Sequence, residues 1–225
     1  MTITTTTLTR GSAVAATLAG LAYIVIQFIH PADVIESLST QAWVNVHILS
    51  FAEAVLALIG LTGLYLFQVR KAGILGLVGY LMFGLFFILQ ASFNFAEALI
   101  APLIAVNAPQ LAVDFVGLFG RYPAETDLGA LAAVPLIGLV LYAGGALLFG
   151  IAILRAHVLS RGAAILLLAA AAVTPLAALL PHALERMAAV PMGAALVWLG
   201  FSLWMNTRTG TARLSATDSA RIAAN

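Results

Sequence analysis

Cysteine is missing from all 225 residues of this sequence. Its absence excludes disulfide bonds, thiolate metal sites, iron–sulfur clusters and covalently attached c-type haem. Lysine occurs once, as Lys71, in a basic link between two apolar runs. Because retinal forms its Schiff base with a lysine inside a helical bundle, a retinal protein is excluded as well.

Charge is also scarce: 8% of the residues are charged and 63% are hydrophobic, with a mean hydropathy of +1.08. A soluble domain carries about 25% charged and about 45–50% apolar residues. The composition therefore predicts an integral membrane protein whose immediate partners are lipids. The net charge of +1 comes from scattered basic residues, which provide no nucleic-acid-binding surface, so no nucleic acid partner is expected.

What the sequence does contain is a series of apolar runs of helical length. About 20 such residues cross the hydrocarbon core of a bilayer, and these runs lack the polar and apolar alternation of barrel strands. We predict an all-α polytopic membrane bundle, a single domain over residues 1–205, followed by a flexible tail over 206–225. The six predicted spans are residues 12–29, 44–69, 72–101, 128–154, 163–180 and 190–205.

Basic residues predict the orientation of the spans. Eight of the ten lysines and arginines lie at the termini and in alternate gaps, which indicates three helical hairpins with both termini in the cytoplasm. The expected location is the inner (plasma) membrane. The long outer segment 102–127 contains an apolar helix, and two interpretations stay open: a lid or re-entrant piece over the bundle, or a connector at the interface.

Residues with special roles inside the spans are few. Gly73, Gly76 and Gly79 are predicted to let helices approach closely. Tryptophan favours the membrane interface, so Trp43, Trp198 and Trp204 are predicted anchors there.

Polar residues recur at helical spacing near the outer ends of the runs. An ionisable group inside the membrane costs about 2.5–3.5 kcal/mol, so such groups normally face the bundle interior or a cavity. We therefore predict an outward-opening polar pocket. By depth, His47 is expected opposite Glu97, and Glu53 opposite Gln90. The stripes are Tyr23, Gln27 and His30; His47, Ser50 and Glu53; Gln90, Asn94 and Glu97; and Thr174 with His182.

These residue types allow several roles. Imidazole and carboxylate groups suit a divalent metal, with haem as the second cofactor candidate. A carboxyl group kept protonated by its apolar surroundings suits acid catalysis. The candidate metal ligands are His30, His47, Glu97 and His182; the candidate catalytic residues are Glu53 and Glu97; the candidate ligand-binding residues are Tyr23, Gln27, Ser50, Gln90, Asn94, Phe115 and Phe119.

No catalytic motif selects among the functions that such a pocket allows, because neither HExxH nor GxSxG occurs. The leading hypothesis is binding or sensing of a small, lipid-like or metal ligand. One alternative is a membrane-embedded enzyme, metal-dependent or acid/base, acting on a lipid or isoprenoid substrate. The other is an accessory or structural subunit. A homo-oligomer or a partner membrane subunit is compatible with all three.

Three segments carry a resemblance: IHPADV at residues 29–34, WVNVH at 43–47, and LLPHALERMAAVPMGAALVWLG at 179–200. Through them the chain resembles uncharacterised six-helix integral membrane proteins of high-GC bacteria. The resemblance implies a bacterial membrane protein and no particular activity.

Overall fold

The computed structural model describes residues 2–119, 124–177 and 186–223, and these residues are helical with no strand. Side chains are described up to Arg208, except those of Phe119 and Ala177. The α-helices are α1 (Thr5–Ile29), α2 (Ile35–Leu38), α3 (Gln41–Leu99), α4 (Ala101–Asn107), α5 (Pro109–Val116), α6 (Val134–Leu139), α7 (Gly145–Ala156), α8 (Arg161–Ala177) and α9 (Val190–Ala223). Short 3-10 helices cover Gly117–Phe119, Gly129–Ala133 and Arg186–Ala189, and a π-helix covers Val140–Gly144.

In the described part of the chain, four helical stretches are long and apolar enough to cross a membrane. This finding confirms the all-helical class and supports the prediction of a membrane protein. A shorter apolar helix covers Arg161–Leu176, and residues 178–180 of the predicted fifth span lie outside the described residues. The four stretches are Thr5–Ile29, Gln41–Leu99, Gly129–Ala156 and Arg186–Arg208.

Helix α3 is interrupted at Gly73, whose φ of 61° and ψ of −166° are not helical. A straight helix of its 59 residues would be about 88 Å long. Instead its two halves, α3a (41–72) and α3b (74–99), pack against each other: the rings of Tyr65 and Tyr80 stack at 4.6 Å, and the Thr62 and Tyr80 hydroxyls lie 3.2 Å apart. The two halves are therefore antiparallel.

The structure corrects one of the glycine predictions. A Cβ added at Gly73 would meet nothing within 4 Å, so this residue does not mediate close packing. It provides the positive φ that the turn requires, which glycine adopts without a steric penalty. Gly79 does pack closely, since an added Cβ would meet the backbone of Phe149 on α7.

Close packing between helices depends on small residues. Helices α1 and α9 cross where Gly20 and Gly193 face each other, with no room for a side chain on either. Gly60 on α3a lies against Ala16 of α1 in the same way. Large apolar side chains cover the outside of the bundle, among them Phe28, Ile74 and Leu136, which are 68%, 81% and 67% exposed. An apolar exterior of this kind suits contact with lipid tails.

Helix boundaries differ from the predictions at several places. The predicted fourth span is a continuous helical path that passes from 3-10 to α, then through the π-helix, then back to α. The last helix continues past the predicted end at residue 205 through Ala223, so the segment predicted as a flexible tail has helical backbone. Trp43, predicted as an interface anchor, is instead fully buried, whereas Trp198 is 46% exposed.

The segment predicted to lie outside the membrane folds back onto the bundle through helices α4 and α5. A small apolar core forms there from Leu38, Trp43, Ala101, Ala112 and Val116. The Asp114 carboxylate accepts hydrogen bonds from the Thr126 backbone amide at 2.7 Å and from the Gln110 side chain at 2.9 Å. Hydrogen bonds, chiefly from the Thr126 side chain, lower the pKa of Asp114. This segment is therefore a folded cap on α2 and the start of α3a.

Candidate functional site

Two histidines, a tryptophan and a glutamate meet beneath the cap, and we call them the histidine cluster: His30, Trp43, His47 and Glu97. The Trp43 and His47 rings lie 4.1 Å apart between centroids, and the His30 and His47 rings 4.9 Å apart. The indole Nε1 of Trp43 donates to the backbone carbonyl of Glu97 at 2.8 Å. The cluster therefore joins the end of α1 to both halves of α3.

The centre of this cluster is the pair His47 and Glu97. His47 is 1% exposed, and its Nδ1 lies 2.8 Å from the carbonyl of Trp43, so Nδ1 carries a proton and donates. The opposite nitrogen, Nε2, lies 3.4 Å from Glu97 Oε2. A hydrogen bond between these two atoms needs one further proton, on either the imidazole or the carboxyl group. The pair is thus built to share a proton.

At the outer edge of the cluster, His30 meets an ion pair. Arg186 donates to Asp33 Oδ2 at 2.8 Å, and His30 Nδ1 lies 3.9 Å from the other Asp33 oxygen and 2.7 Å from the carbonyl of Pro31. Burial and then the positive charge of Arg186 lower the pKa of His30. His30 is therefore held neutral under conditions in which an exposed histidine begins to protonate.

The described residues include no group of three histidine, aspartate or glutamate side chains placed to hold a metal ion. His47 keeps only Nε2 for such a bond, since Nδ1 is committed to Trp43. His182 lies outside the described residues, so the four-ligand set with His30, His47 and Glu97 stays a prediction.

A recess of about 220 Å³ opens beside the histidine cluster. Three polar side chains of one α3b stripe line it, Gln90, Asn94 and Glu97, which are spaced at helical intervals. Its remaining walls are apolar and come from Phe86, Leu89 and Phe93 on α3b and from Gly138 on α6. The recess therefore combines an apolar wall with hydrogen-bonding groups.

The cap reaches the rim of this recess through two stacked rings. Phe115 of α5 stacks on Phe93 at 4.7 Å, and Phe93 lines the recess. Phe115, a predicted ligand-binding residue, is thus at the rim, whereas the side chain of Phe119 lies outside the described ones. Movement of α5 would change the shape of the recess.

Deeper in the bundle, Glu53 and Gln90 form a second polar site. Glu53 is fully buried, and its Oε2 accepts a hydrogen bond from Gln90 Nε2 at 2.8 Å. Tyr23 of α1 and Tyr142 of the π-helix interact with each other and lie close enough to Glu53 to interact electrostatically. The Tyr142 hydroxyl lies 3.1 Å from that of Thr174 on α8. Five polar side chains from five stretches of helix thus meet here.

Two predicted ligand-binding residues do not join either site. Gln27 donates to the carbonyl of Tyr23 and Ser50 to that of Val46, each four residues earlier on its own helix. Asn94 also donates to its own helix, at the carbonyl of Gln90, although it lines the recess.

Four residues of these sites were missed at the level of sequence: Trp43, Tyr142, Arg186 and Asp33. Trp43 precedes His47 by four residues, a spacing that predicts a shared helix face and could have linked the two. Tyr142 is an isolated polar aromatic residue within an apolar run, which gave a weaker signal. The ion pair of Arg186 with Asp33 joins residues 153 positions apart and left no local signal.

A second, larger groove of about 420 Å³ lies between α3a and α3b. Its lining is apolar apart from Ser92, and the Ser92 hydroxyl is already bonded to the carbonyl of Ile88. Since it presents no free polar group to orient a ligand, we regard the smaller recess as the functional site.

Comparison of this chain with models of known protein families, with curated proteins and with solved structures finds no match. The functional assignment therefore depends on the geometry of the recess and its neighbours.

Proposed function

We propose that the chain crosses the bacterial inner membrane six times, as three helical hairpins with both termini in the cytoplasm. The break at Gly73 supports this topology, because α3a and α3b are about 48 and 39 Å long, each enough to cross a hydrocarbon core of about 30 Å. The excess of basic residues at the termini and in alternate gaps supports the orientation.

The absence of cysteine makes this topology directly testable by labelling. Single substitutions Thr5→Cys, Ser39→Cys and Lys71→Cys place one thiol each at exposed positions. In intact cells, a membrane-impermeant maleimide should label only the Ser39→Cys variant, and it should label all three variants after lysis. Labelling of the Thr5 or Lys71 variant in intact cells would contradict the orientation.

We infer that the protein binds an uncharged amphiphilic ligand, a small molecule or a lipid-like alcohol, in the recess on α3b. The observation that carries this proposal is the lining itself: aromatic and aliphatic walls on one side, and Gln90, Asn94 and Glu97 on the other. Mostly apolar walls with a few convergent polar groups are typical of ligand sites. The Glu97 carboxyl group favours an uncharged polar end over an anionic one.

The volume limits what can bind. At about 220 Å³ the recess is smaller than the pockets of about 300–1,000 Å³ that enclose drug-sized ligands. It therefore accepts the polar end and first carbons of a lipid-like molecule, or a small molecule entirely. The rest of a long ligand would lie along the apolar outer surface, where Leu136 and Ile137 of α6 are exposed.

Native mass spectrometry of the purified protein, with oleyl alcohol and oleic acid as probes, tests this proposal. Leu89→Trp fills the recess and should abolish retention of oleyl alcohol. Leu85→Trp, one turn earlier at a side chain that is 51% exposed, is the matched control and should retain it. Equal retention by both variants would contradict the proposed site, and preferential retention of oleic acid would contradict the uncharged ligand.

A second candidate function is acid/base chemistry on a bound lipid or isoprenoid. The contact of 3.4 Å between His47 Nε2 and Glu97 Oε2 favours it, since Glu97 also lines the recess. An enzyme should keep its ligand but no longer convert it after His47→Ala. An accessory subunit should lose stability in detergent after the same substitution, with no change in bound molecules.

A further inference from the structure

Glu53 is enclosed by protein on every side. The side chains that face it are Gln90 on α3b, Tyr23 on α1 and Tyr142 in the π-helix, and no basic group of the described residues acts on it. A carboxylate without a cation in an apolar bundle is strongly disfavoured, because nothing replaces the hydration that it loses. The site therefore requires either a counter-charge or a proton.

Two oxygen atoms of the buried pair lack a hydrogen-bond partner. Gln90 Nε2 donates to Glu53 Oε2, which leaves Glu53 Oε1 and Gln90 Oε1 without a donor among the described residues. Both atoms are acceptors when Glu53 is ionised, so they cannot bond to each other in that state. Buried polar atoms are rarely left in this condition, so each requires an explanation.

A single proton resolves both. When Glu53 Oε1 carries a hydrogen, it becomes a donor, and the remaining oxygen of Gln90 can accept from it. Together with the bond from Gln90 Nε2 to Glu53 Oε2, this closes a ring of two hydrogen bonds between a carboxylic acid and a primary amide. Protonation also removes the buried charge, so the same event satisfies the electrostatic and the hydrogen-bonding requirement.

We propose that Glu53 and Gln90 form a proton-binding site within the transmembrane bundle, in which two hydrogen bonds join the protonated carboxyl group of Glu53 to the side-chain amide of Gln90. Proton loss breaks the bond from Glu53 Oε1 to Gln90 Oε1 and leaves a charge with one hydrogen bond. The released proton goes to bulk water. This site is separate from the recess, although Gln90 contributes to both.

Infrared spectroscopy of the detergent-solubilised protein tests the site, because a protonated carboxyl group has its own carbonyl absorption that shifts in D₂O. The wild type should show this absorption for Glu53 at neutral pH, and Glu53→Gln should remove it. Glu53→Gln should also fold, since two amides form the same two-bond ring. Glu97→Gln is the control that identifies any absorption of the Glu97 carboxyl group, which is 13% exposed.

Two further variants distinguish the effect of the hydrogen bonds between Glu53 and Gln90 from the effect of burial alone. Gln90→Leu should shift the Glu53 absorption and its titration, because the hydrogen-bonded ring is lost. The exchange of the two residues, Glu53→Gln with Gln90→Glu, should restore an acid–amide absorption. An unshifted absorption in Gln90→Leu would overturn the role of Gln90, and an absorption unaffected by Glu53→Gln between about pH 5 and 9 would overturn the proton-binding site.

Carboxyl-¹³C NMR of glutamate-labelled protein tests the same proton directly. A glutamate that stays protonated at neutral pH both in the wild type and in Glu97→Gln supports the proposal, and only ionised glutamates would overturn it. Both measurements proceed without a ligand, so failure of the ligand-binding proposal leaves this result unaffected.

Discussion

The histidine cluster and the Glu53–Gln90 pair solve the same problem, polar groups inside an apolar bundle, by different means. In the cluster, side chains bond to backbone carbonyls: Trp43 to that of Glu97, His47 to that of Trp43, and His30 to that of Pro31. In the pair, the Gln90 amide donates to the Glu53 carboxyl group, and one oxygen of each side chain has no hydrogen-bond donor among the described residues.

Hydrogen-bond chemistry explains this difference. Trp43, His47 and His30 each carry a ring N–H, which can donate to a backbone carbonyl. An ionised carboxylate has no proton to donate, so Glu53 needs a donor, and the side-chain amide of Gln90 provides one. Buried side chains with an N–H can thus use the backbone carbonyls, whereas the carboxylate depends on a second side chain.

The largest effect is expected from Gln90→Leu, which removes the side chain that is hydrogen-bonded to Glu53 in the described part of the chain. Leaving a buried carboxyl group without a partner should lower the free energy of unfolding by about 2 kcal/mol. Asn94→Leu is the matched control, because it introduces the same residue at a position where the side-chain amide bonds to its own helix. Denaturation in mixed detergent measures both; equal losses would show that the Glu53 contact contributes little.

A smaller effect is expected from Trp43→Phe in the histidine cluster. This change keeps most of the aromatic packing but deletes the bond from Nε1 to the Glu97 carbonyl, worth about 1 kcal/mol. Trp198→Phe, at a ring that is 46% exposed, should change stability little. If both variants lose the same free energy of unfolding, the hydrogen bond from the indole to the Glu97 carbonyl contributes little, and the proposed difference between the two sites is not supported.

The smallest effect is expected at the ion pair of Arg186 with Asp33. Arg186→Gln removes the positive charge beside His30, so the pKa of His30 should rise, while burial keeps it below about 6.5. Because the folded chain binds this proton more weakly than the unfolded chain, stability falls as the pH drops below about 6.5, and the variant should lose less. Imidazole NMR measures the pKa; no change would exclude Arg186 as a cause.

Asp33→Asn is the opposing variant for that measurement. It removes a negative charge near His30 and should lower the pKa of His30 further. The ion pair is partly exposed, at 26% for Arg186 and 36% for Asp33, so its loss should cost less than about 1 kcal/mol. A shift of the His30 pKa in the same direction in both variants would contradict the electrostatic explanation.

Helical periodicity predicted most of what the two sites contain. The spacing of Gln90, Asn94 and Glu97 placed them on one face, and counting turns placed Glu53 opposite Gln90 and His47 opposite Glu97, as the structure has them. These arguments succeed because a helix inside a membrane keeps its rise and twist over many turns.

Features that depend on backbone torsion or distant contacts could not be predicted in this way. Gly73 resembles the neighbouring packing glycines in sequence, and only its φ of 61° identifies it as the turn. The π-helix that contains Tyr142 has no distinctive residue pattern. Ser50 shares a face with His47 and Glu53 by spacing, but its hydroxyl is satisfied by its own helix, a choice that periodicity does not encode.

The crossing of α1 and α9 at Gly20 and Gly193 has a consequence for biosynthesis. The bare backbone of the first helix is covered by a residue that the ribosome adds more than 170 positions later. Until then the Gly20 face of α1 is in contact with lipid or with an insertion factor. The packing of the bundle is complete only after α9 has been synthesised. In a chain truncated before α9, the Gly20 face of α1 would stay uncovered by protein.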